Sequence, residues 1–295
     1  MSLNTNHFVQ QIFVAAFSLC STIIFPQTII TVTESNLHGW AKDEQYLGKI
    51  RFANGPSTPP LRKGSLEFDA PVNGHTRHVR MRTDRYLGVL LSSITQLSYS
   101  TFVQKAGSTR DVPLLVLLVD ADGDGIEDVH FSFVPRFQNP KDTTGFPTKF
   151  GWYKPKKTNE KAIRWQYPVL QKVWQTWDAL HGGWITWSMV ENTVDTNPPM
   201  YSLSGFIAQH PNARIVNDKY GGGVRLQAGG IPMADNFLGN ADAFTIGING
   251  KITVYDFELG KDTVHKRRKY STYHSLNYNK KANKTNDRFL RRTAP

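Results

Sequence analysis

Residues 114–134 read LLVLLVDADGDGIEDVHFSFV, and this stretch indicates the fold class. Leucine and valine make up the run before the acidic turn, and apolar and polar residues alternate in the run after it. Runs of this length and composition are typical of β-strands, while Asp and Gly supply the turn between them. The stretch therefore predicts a β-hairpin with an acidic loop.

Similar short runs recur along the chain between Gly and Pro residues, which is the pattern of antiparallel strands in a sandwich or barrel. Residues 243–248 and 251–257 flank Asn249-Gly250, a dipeptide that favours a type I′ hairpin turn. One helix is expected at Leu203–Gln209, with Ser202 as its cap and Pro211 beyond its end. The other predicted strands are 28–33, 49–53, 65–68, 78–82, 86–91, 97–104, 172–177, 184–189, 214–217 and 224–228.

The two ends of the chain differ from its middle. Residues 12–25 are mostly apolar and too short for a membrane span, so residues 1–27 are predicted to be a signal peptide, although no Lys or Arg precedes the apolar run. An N-terminal anchor or a buried first strand is the alternative. The only cysteine, Cys20, lies there, so a mature chain would have no disulfide and no transmembrane segment.

Residues 28–259 are predicted to form one β-sandwich domain and residues 260–295 a flexible basic tail. The tail holds eleven Lys and Arg against two Asp, which is +9 of the chain's net charge of +11. Because the excess charge is confined to the tail, it predicts attraction to anionic polymers and gives no indication of nucleic-acid binding. A tail that is merely solvated is the alternative.

The acidic loop has the residue types and spacing of a calcium site. Carboxylates at alternate positions converge when a chain curls, and calcium takes six to eight oxygen ligands. An EF-hand would need Glu where Phe131 stands, so the loop resembles calcium loops of extracellular β-proteins, where dissociation constants are about 10⁻⁴–10⁻³ M. A solvated acidic turn is the alternative. The predicted ligands are Asp120, Asp122, Asp124, the Ile126 carbonyl and Asp128.

Residues 174–187 contain four of the seven tryptophans: Trp174, Trp177, Trp184 and Trp187. Indole rings stack on sugar rings, so the segment predicts a carbohydrate-binding surface. However, residues three apart on a strand face opposite sides, so one member of each pair is expected in the core. Both interpretations remain open.

Asp178, His181 and Glu191 are the weak candidates for catalysis. A pair of carboxylates separated by about 5–5.5 Å or about 6.5–9.5 Å would serve glycoside hydrolysis. The sequence has no nucleophile elbow, zinc-protease motif or phosphate loop, so it favours a binding protein over an enzyme.

Several segments are distinctive in combination: residues 52–60 with 64–66, 97–102, 119–125, 174–178, 210–216, 235–244 and 255–258. In this order they resemble a family of exported bacterial surface and extracellular proteins of unsettled function, which often carry C-terminal sorting tails. The resemblance spans about residues 40–258 and implies a lectin-like sandwich, of the jelly-roll or concanavalin-like kind. It supplies no catalytic residues, and the basic tail departs from the apolar sorting anchor of the family.

The combined expectation is a secreted or cell-surface, calcium-stabilised module that binds polysaccharide or another surface glycan. A secreted carbohydrate-active hydrolase and a structural matrix protein with protein partners are the alternatives.

Overall fold

A computed structural model of the chain describes residues 27–45, 47–70, 78–106, 112–138, 169–187, 200–229 and 237–260. Most of the predicted signal peptide and the predicted tail lie outside these ranges, so both stay predictions. The described residues form one α-helix, α1 (Leu203–Gln209), two short 3₁₀ turns (Leu91–Ser93 and Pro135–Phe137) and fifteen β-strands. These are β1 (Gln27–Val32), β2 (Trp40–Glu44), β3 (Lys49–Asn54), β4 (Gly64–Ala70), β5 (His78–Thr83), β6 (Ile94–Lys105), β7 (Leu114–Asp120), β8 (Val129–Phe133), β9 (Trp174–Asp178), β10 (Gly183–Trp187), β11 (Met200–Ser202), β12 (Arg214–Ile215), β13 (Val224–Gly229), β14 (Phe237–Ile248) and β15 (Lys251–Phe257).

The strands form two sheets that enclose the core. In the seven-stranded sheet, β14 pairs with β6 along one side and with β4 and β15 along the other, and β9, β3 and β1 extend the sheet outward. The eight-stranded sheet has the order β11-β10-β8-β7-β13-β5-β2, with β12 also beside β7. Among the described strand pairs, β1 and β15 are parallel and the others are antiparallel. The predicted all-β sandwich is confirmed.

The sequence of the central strand β7 is continuously apolar because both of its faces are buried. Leu115 and Leu117 face the seven-stranded sheet and belong to the main core. Val116 and Leu118 point the other way, into a second buried cluster that also includes Ile185. A strand that is buried on both faces has a continuous run of apolar residues, whereas a strand with one solvent-exposed face alternates apolar and polar residues.

The predicted turn and helix are confirmed by local geometry. Asn249 and Gly250 have φ angles of 48° and 77°, as a type I′ turn requires. The Ser202 hydroxyl accepts a hydrogen bond from the Gly205 N–H at 2.9 Å, which caps α1. Helix α1 ends at Gln209, before Pro211.

The strand predicted at residues 86–91 is wrong. Leu87 N–H donates to the Asp84 carbonyl at 3.2 Å, and Gly88 has a φ of 75°, so the chain turns there and enters a 3₁₀ turn. The apolar pattern has another cause, because the Tyr86 hydroxyl lies 2.8 Å from that of Tyr255 in the core. Strand β2 was not predicted, because its sequence WAKDE is mostly polar.

Candidate functional site

The outer face of the eight-stranded sheet carries charged and polar side chains. Their neighbours Met81 and Leu226 belong to the main core, so alternation directs Arg80, Arg82 and Arg225 away from it. The register places Arg225 beside Arg82 and Gln227 beside Arg80. We call the following side chains the polar patch: Asp43, His78, Arg80, Arg82, His130, Arg225 and Gln227.

Ion pairs and backbone contacts hold two of the three arginines of the polar patch, Arg80 and Arg225. Arg80 Nε donates to Asp43 Oδ2 at 2.6 Å, and Arg225 Nη2 lies 2.7 Å from Asp218 Oδ2. Arg225 also donates to the carbonyls of Gly222 and Gly221 at 2.7 and 2.8 Å. Charge-assisted contacts of this kind hold long side chains in one conformation before any ligand arrives.

The turn above these arginines requires glycine. Gly221 and Gly222 both have φ angles of 78°, which side chains rarely adopt. A Cβ on Gly222 would lie 2.5 Å from the Arg82 Cβ. The triple glycine of residues 221–223 therefore lets the backbone approach Arg82 and Arg225 closely.

Two nitrogen atoms of the polar patch have unused hydrogen-bonding capacity. His78 Nε2 and Arg82 Nε are buried and have no hydrogen-bond partner among the described residues. The nearest carboxylate oxygen of Asp43 lies 3.8 Å from His78 Nε2, which is too long for a hydrogen bond. Buried polar atoms are normally paired, so this pair of exceptions needs an explanation.

The histidines of the polar patch are uncharged at neutral pH. Burial lowers the pKa of His78 to about 4, and the positive charge of Arg80 acts in the same direction. Burial, followed by the charge of Arg225, likewise lowers the pKa of His130 to about 4. A neutral imidazole offers one donor and one acceptor, which suits a ligand group that does both.

Sequence reasoning missed the polar patch. The one local signal is His78-Val79-Arg80-Met81-Arg82, in which polar residues occupy alternate positions of β5. Their partners on β2 and β13 are distant in sequence, so the patch exists only once the strands pair.

The acidic loop joins β7 to β8, as predicted. The carboxylates of Asp120, Asp122 and Asp124 each place an oxygen within 4.8 Å of the others. The Asp128 carboxylate accepts from the Ala121 N–H at 2.7 Å, and the Ile126 side chain is exposed. Three of the five predicted ligands therefore lie close enough together to hold a metal ion.

Backbone N–H groups shape the loop around Asp120. Its two carboxylate oxygens accept from Gly123 N–H at 2.5 Å and Gly125 N–H at 2.8 Å. Burial alone would raise the pKa of Asp120, but these N–H groups and the Arg214 guanidinium outweigh it and lower the pKa. Asp120 is therefore a charged hub, whereas Asp122 and Asp124 are exposed.

Two of the four tryptophans lie in the core and form no ligand surface. Trp184 is fully buried and donates to the Ala179 carbonyl at 2.8 Å, and buried Trp177 donates to the Thr101 hydroxyl at 2.8 Å. Trp174 is half-buried and donates to the Pro56 carbonyl at 2.9 Å. The Trp187 side chain lies outside the described part of the structure. Trp177 and Trp184 therefore cannot belong to a surface platform, as the alternation of side chains along a strand indicated for one member of each pair.

The weak catalytic candidates form only a local pair. Asp178 Oδ2 lies 3.0 Å from His181 Nδ1, and the Asp178 Oδ1 atom accepts from the His181 N–H at 3.2 Å. These contacts close the turn in which the chain crosses from β9 to β10, between the two sheets. Glu191 lies outside the described residues, so a carboxylate pair of Asp178 and Glu191 stays a prediction.

No protein-family model, curated protein or solved structure matches the chain. Within the described residues, no helix is long and apolar enough to cross a bilayer.

Proposed function

We propose that the protein is a calcium-stabilised extracellular module that binds carbohydrate or another surface glycan, and that the polar patch is its binding face. The observation that carries the proposal is the pair of unused nitrogen atoms, His78 Nε2 and Arg82 Nε, within a rigid group of charged side chains. Sugar hydroxyls both donate and accept hydrogen bonds, so they complement a neutral imidazole beside a guanidinium.

Although these two atoms are buried, the side chains at the sheet edge beside them are partly exposed. Asp43 and His78 belong to β2 and β5, the last two strands at one edge of the eight-stranded sheet. Their side chains keep 23% and 16% of their surface exposed, whereas Arg225 keeps 1%. A glycan at this edge would contact Asp43 and His78 first and would reach the unused atoms by displacing the side chains that cover them, while the deeper arginines hold the surface rigid. Rigid polar groups reduce the entropy lost on binding.

The proposed calcium ion has a structural part in this function. An ion bound by Asp120, Asp122 and Asp124 would hold the end of β7, which pairs with β13 of the polar patch. Binding to the folded state alone raises the free energy of unfolding. Export, and membership of the family of exported surface proteins that the sequence resembles, are further parts of the proposal.

The test is retention of the full chain on a panel of soluble and insoluble polysaccharides, in calcium and in chelator. Each measurement is repeated at 1 M salt, where a screening length of about 3 Å removes attraction through the basic tail. We expect one glycan class to retain the protein at both salt concentrations, more strongly with calcium. Absence of retention by a protein shown to be folded would overturn the proposal and favour a surface component with protein partners.

A further inference from the structure

A second site lies in the seven-stranded sheet, where residues 61–64 cross carboxylates of β14 and β15. We call residues 61–64 the strap. Leu61 N–H donates to Asp242 Oδ2 at 3.3 Å, and Lys63 and Gly64 N–H donate to Glu258 Oε1 at 3.0 and 2.9 Å. Backbone N–H groups of three strap residues are therefore bound by carboxylates about 180–195 positions further along the chain.

The strap also supplies the cation that faces these carboxylates. Arg62 Nε lies 3.0 Å from Asp256 Oδ2 and forms an ion pair with it. The angles of this contact are not those of a hydrogen bond, and neither Asp256 oxygen has a partner with hydrogen-bond geometry in the described part of the chain. Asp256 and Glu258 are two positions apart on or just beyond β15, so both face the strap. Lys63 contributes its backbone N–H, and its side chain is exposed.

The charges at this site do not balance. Asp242 and Asp256 are fully buried, whereas the Arg62 side chain is 61% exposed. Two buried carboxylates and the half-buried Glu258 against one exposed guanidinium leave an excess of negative charge that is largely desolvated. Such charge is strongly unfavourable unless a group binds a proton or another cation enters.

We propose that the strap is a proton-operated latch, closed while a buried carboxyl beneath it carries a proton and released when Asp242, Asp256 and Glu258 are all ionised. Proton binding neutralises the excess charge without needing any further residue. The loss of that proton sets three negative charges against one another beneath the strap.

The direction of the pH effect follows from Asp242. Burial raises the pKa of Asp242 to about 7, with a contribution from the Asp256 charge, although N–H groups of Phe257, Ala243 and Leu61 favour the ionised form. With the strap open, water restores the ordinary value of 3.8. The closed form then binds the proton more tightly, so a rise in pH favours opening. The ratio of closed to open protein falls by up to about tenfold per pH unit between about 4 and 7.

Opening of the strap would uncover an aromatic surface. The strap continues the loop that includes Pro56, whose carbonyl accepts from Trp174 Nε1. The Trp174 ring lies 5.5 Å from the Phe102 ring and is half-buried. A released loop would therefore leave a tryptophan and a phenylalanine side by side at the surface, so Trp174 reports directly on the latch.

The experiment measures the tryptophan fluorescence of the full chain from pH 4.5 to 8.5, with the spectrum of Trp174→Phe subtracted. We expect the Trp174 signal to shift to the red and become accessible to iodide as pH rises towards 7 and above. Asp242→Asn should remove this transition, and Asp69→Asn, in the same sheet but ion-paired to Arg51, should keep it. A transition unchanged in Asp242→Asn, or none in the parent chain, would overturn the latch.

A second variant, Glu258→Gln, tests the latch even if Asp242→Asn does not fold. Glu258→Gln keeps an oxygen to accept from Lys63 and Gly64 but removes one of the three negative charges that drive release, so opening should weaken and its midpoint should move to higher pH. An unmoved midpoint in folded Glu258→Gln would contradict the proposal. The series is repeated with calcium and with chelator. A transition present only in chelator would show that a metal ion neutralises the carboxylates in place of a proton, which would also overturn it.

Discussion

Two acidic clusters of this protein, in the β7–β8 loop and beneath the strap, contain similar residues but have opposite electrostatics. In the loop, Asp120 is surrounded by backbone N–H groups, and its pKa is lowered. Beneath the strap, burial raises the pKa of Asp242 and of Asp256. Burial is the larger influence at Asp242, where backbone N–H groups are also present but a second buried carboxylate lies close.

The comparison shows that the effect of burial on a carboxylate depends on its neighbours, because backbone N–H groups and Arg214 outweigh burial at Asp120 but burial prevails at Asp242. Asp120 has no exposed surface but stays charged, because its oxygens accept two short backbone hydrogen bonds. Its neighbours Asp122 and Asp124 are exposed and available to a metal ion. The carboxylates under the strap have no such access, and a proton is the smallest cation that relieves them.

The largest effect within the acidic loop is expected from Asp120→Ala, which tests whether the loop depends on its buried, charged carboxylate. The change removes two charge-assisted hydrogen bonds and leaves the N–H groups of Gly123 and Gly125 without their acceptor. We expect the free energy of unfolding to fall by about 3 kcal/mol. Chemical denaturation in the presence of chelator measures it. Exposed Asp124→Ala should cost about 1 kcal/mol or less, and equal losses for the two variants would contradict the hub.

The next effect is that of calcium on the loop alone. With a dissociation constant of about 10⁻⁴–10⁻³ M, 10 mM calcium should add about 1.4–2.7 kcal/mol to the free energy of unfolding. The double variant Asp122→Asn, Asp124→Asn should lose this gain, while Asp242→Asn should retain it. Thermal unfolding with calcium and with chelator measures both. An equal gain in the double variant would place any bound calcium elsewhere.

The two clusters should also differ in the sign of their pH dependence. The raised pKa of Asp242 contributes stability that is present at low pH and is lost as pH rises to about 7. The contribution falls by up to about 1.4 kcal/mol per pH unit. The lowered pKa of Asp120 acts in the opposite sense, because its contribution is lost as pH falls below the ordinary value of 3.8.

The pH dependence is measured as the difference in unfolding free energy between the parent chain and Asp242→Asn, from pH 4 to 8. The subtraction is needed because His78 and His130 also titrate. Their pKa values are lowered from 6.5 to about 4, so their contribution to the free energy of unfolding falls as pH falls below 6.5. These histidines therefore oppose Asp242 in the same range. A flat difference across that range would show that Asp242 stays ionised when buried.

The smallest effect is expected from Gly125→Ala. Gly125 has a φ of 91°, but a Cβ there would meet no atom within 4 Å. The cost is therefore backbone strain alone, about 1 kcal/mol. Gly64→Ala in the strap should cost more, because its Cβ would lie 2.6 Å from the Glu258 Cα. Denaturation of the two variants compares them, and the reverse order would contradict the open loop and the closed strap.

The sequence was sufficient for features whose residues are neighbours along the chain. The β7–β8 hairpin, its acidic loop, the Asn249-Gly250 turn and the Ser202 cap all follow from spacing within a few residues. Parity also indicated that the tryptophans could not all share one face. The strand predicted at 86–91 was wrong because a chain turn with a buried tyrosine can imitate strand alternation.

The strap and the polar patch were beyond sequence reasoning for a common reason. Leu61 meets Asp242, and Arg80 meets Gln227, only after strands from distant parts of the chain pair. No acidic residue stands near Asp242 in the sequence, and Asp256 has only Glu258 two positions away, so nothing along the chain links Asp242 to them. Their pKa values depend on the folded surroundings and have no signature in composition.

The most direct test of the proposed function compares Arg82→Gln with Arg85→Gln for retention on the glycan that binds the parent chain. Arg82 presents the unused Nε atom of the polar patch, and Arg85 is an exposed arginine three residues further along whose guanidinium donates to the His38 carbonyl. We predict that Arg82→Gln weakens retention at least tenfold at 1 M salt, while Arg85→Gln binds as the parent chain does. Equal retention of both folded variants would contradict a binding site at the polar patch.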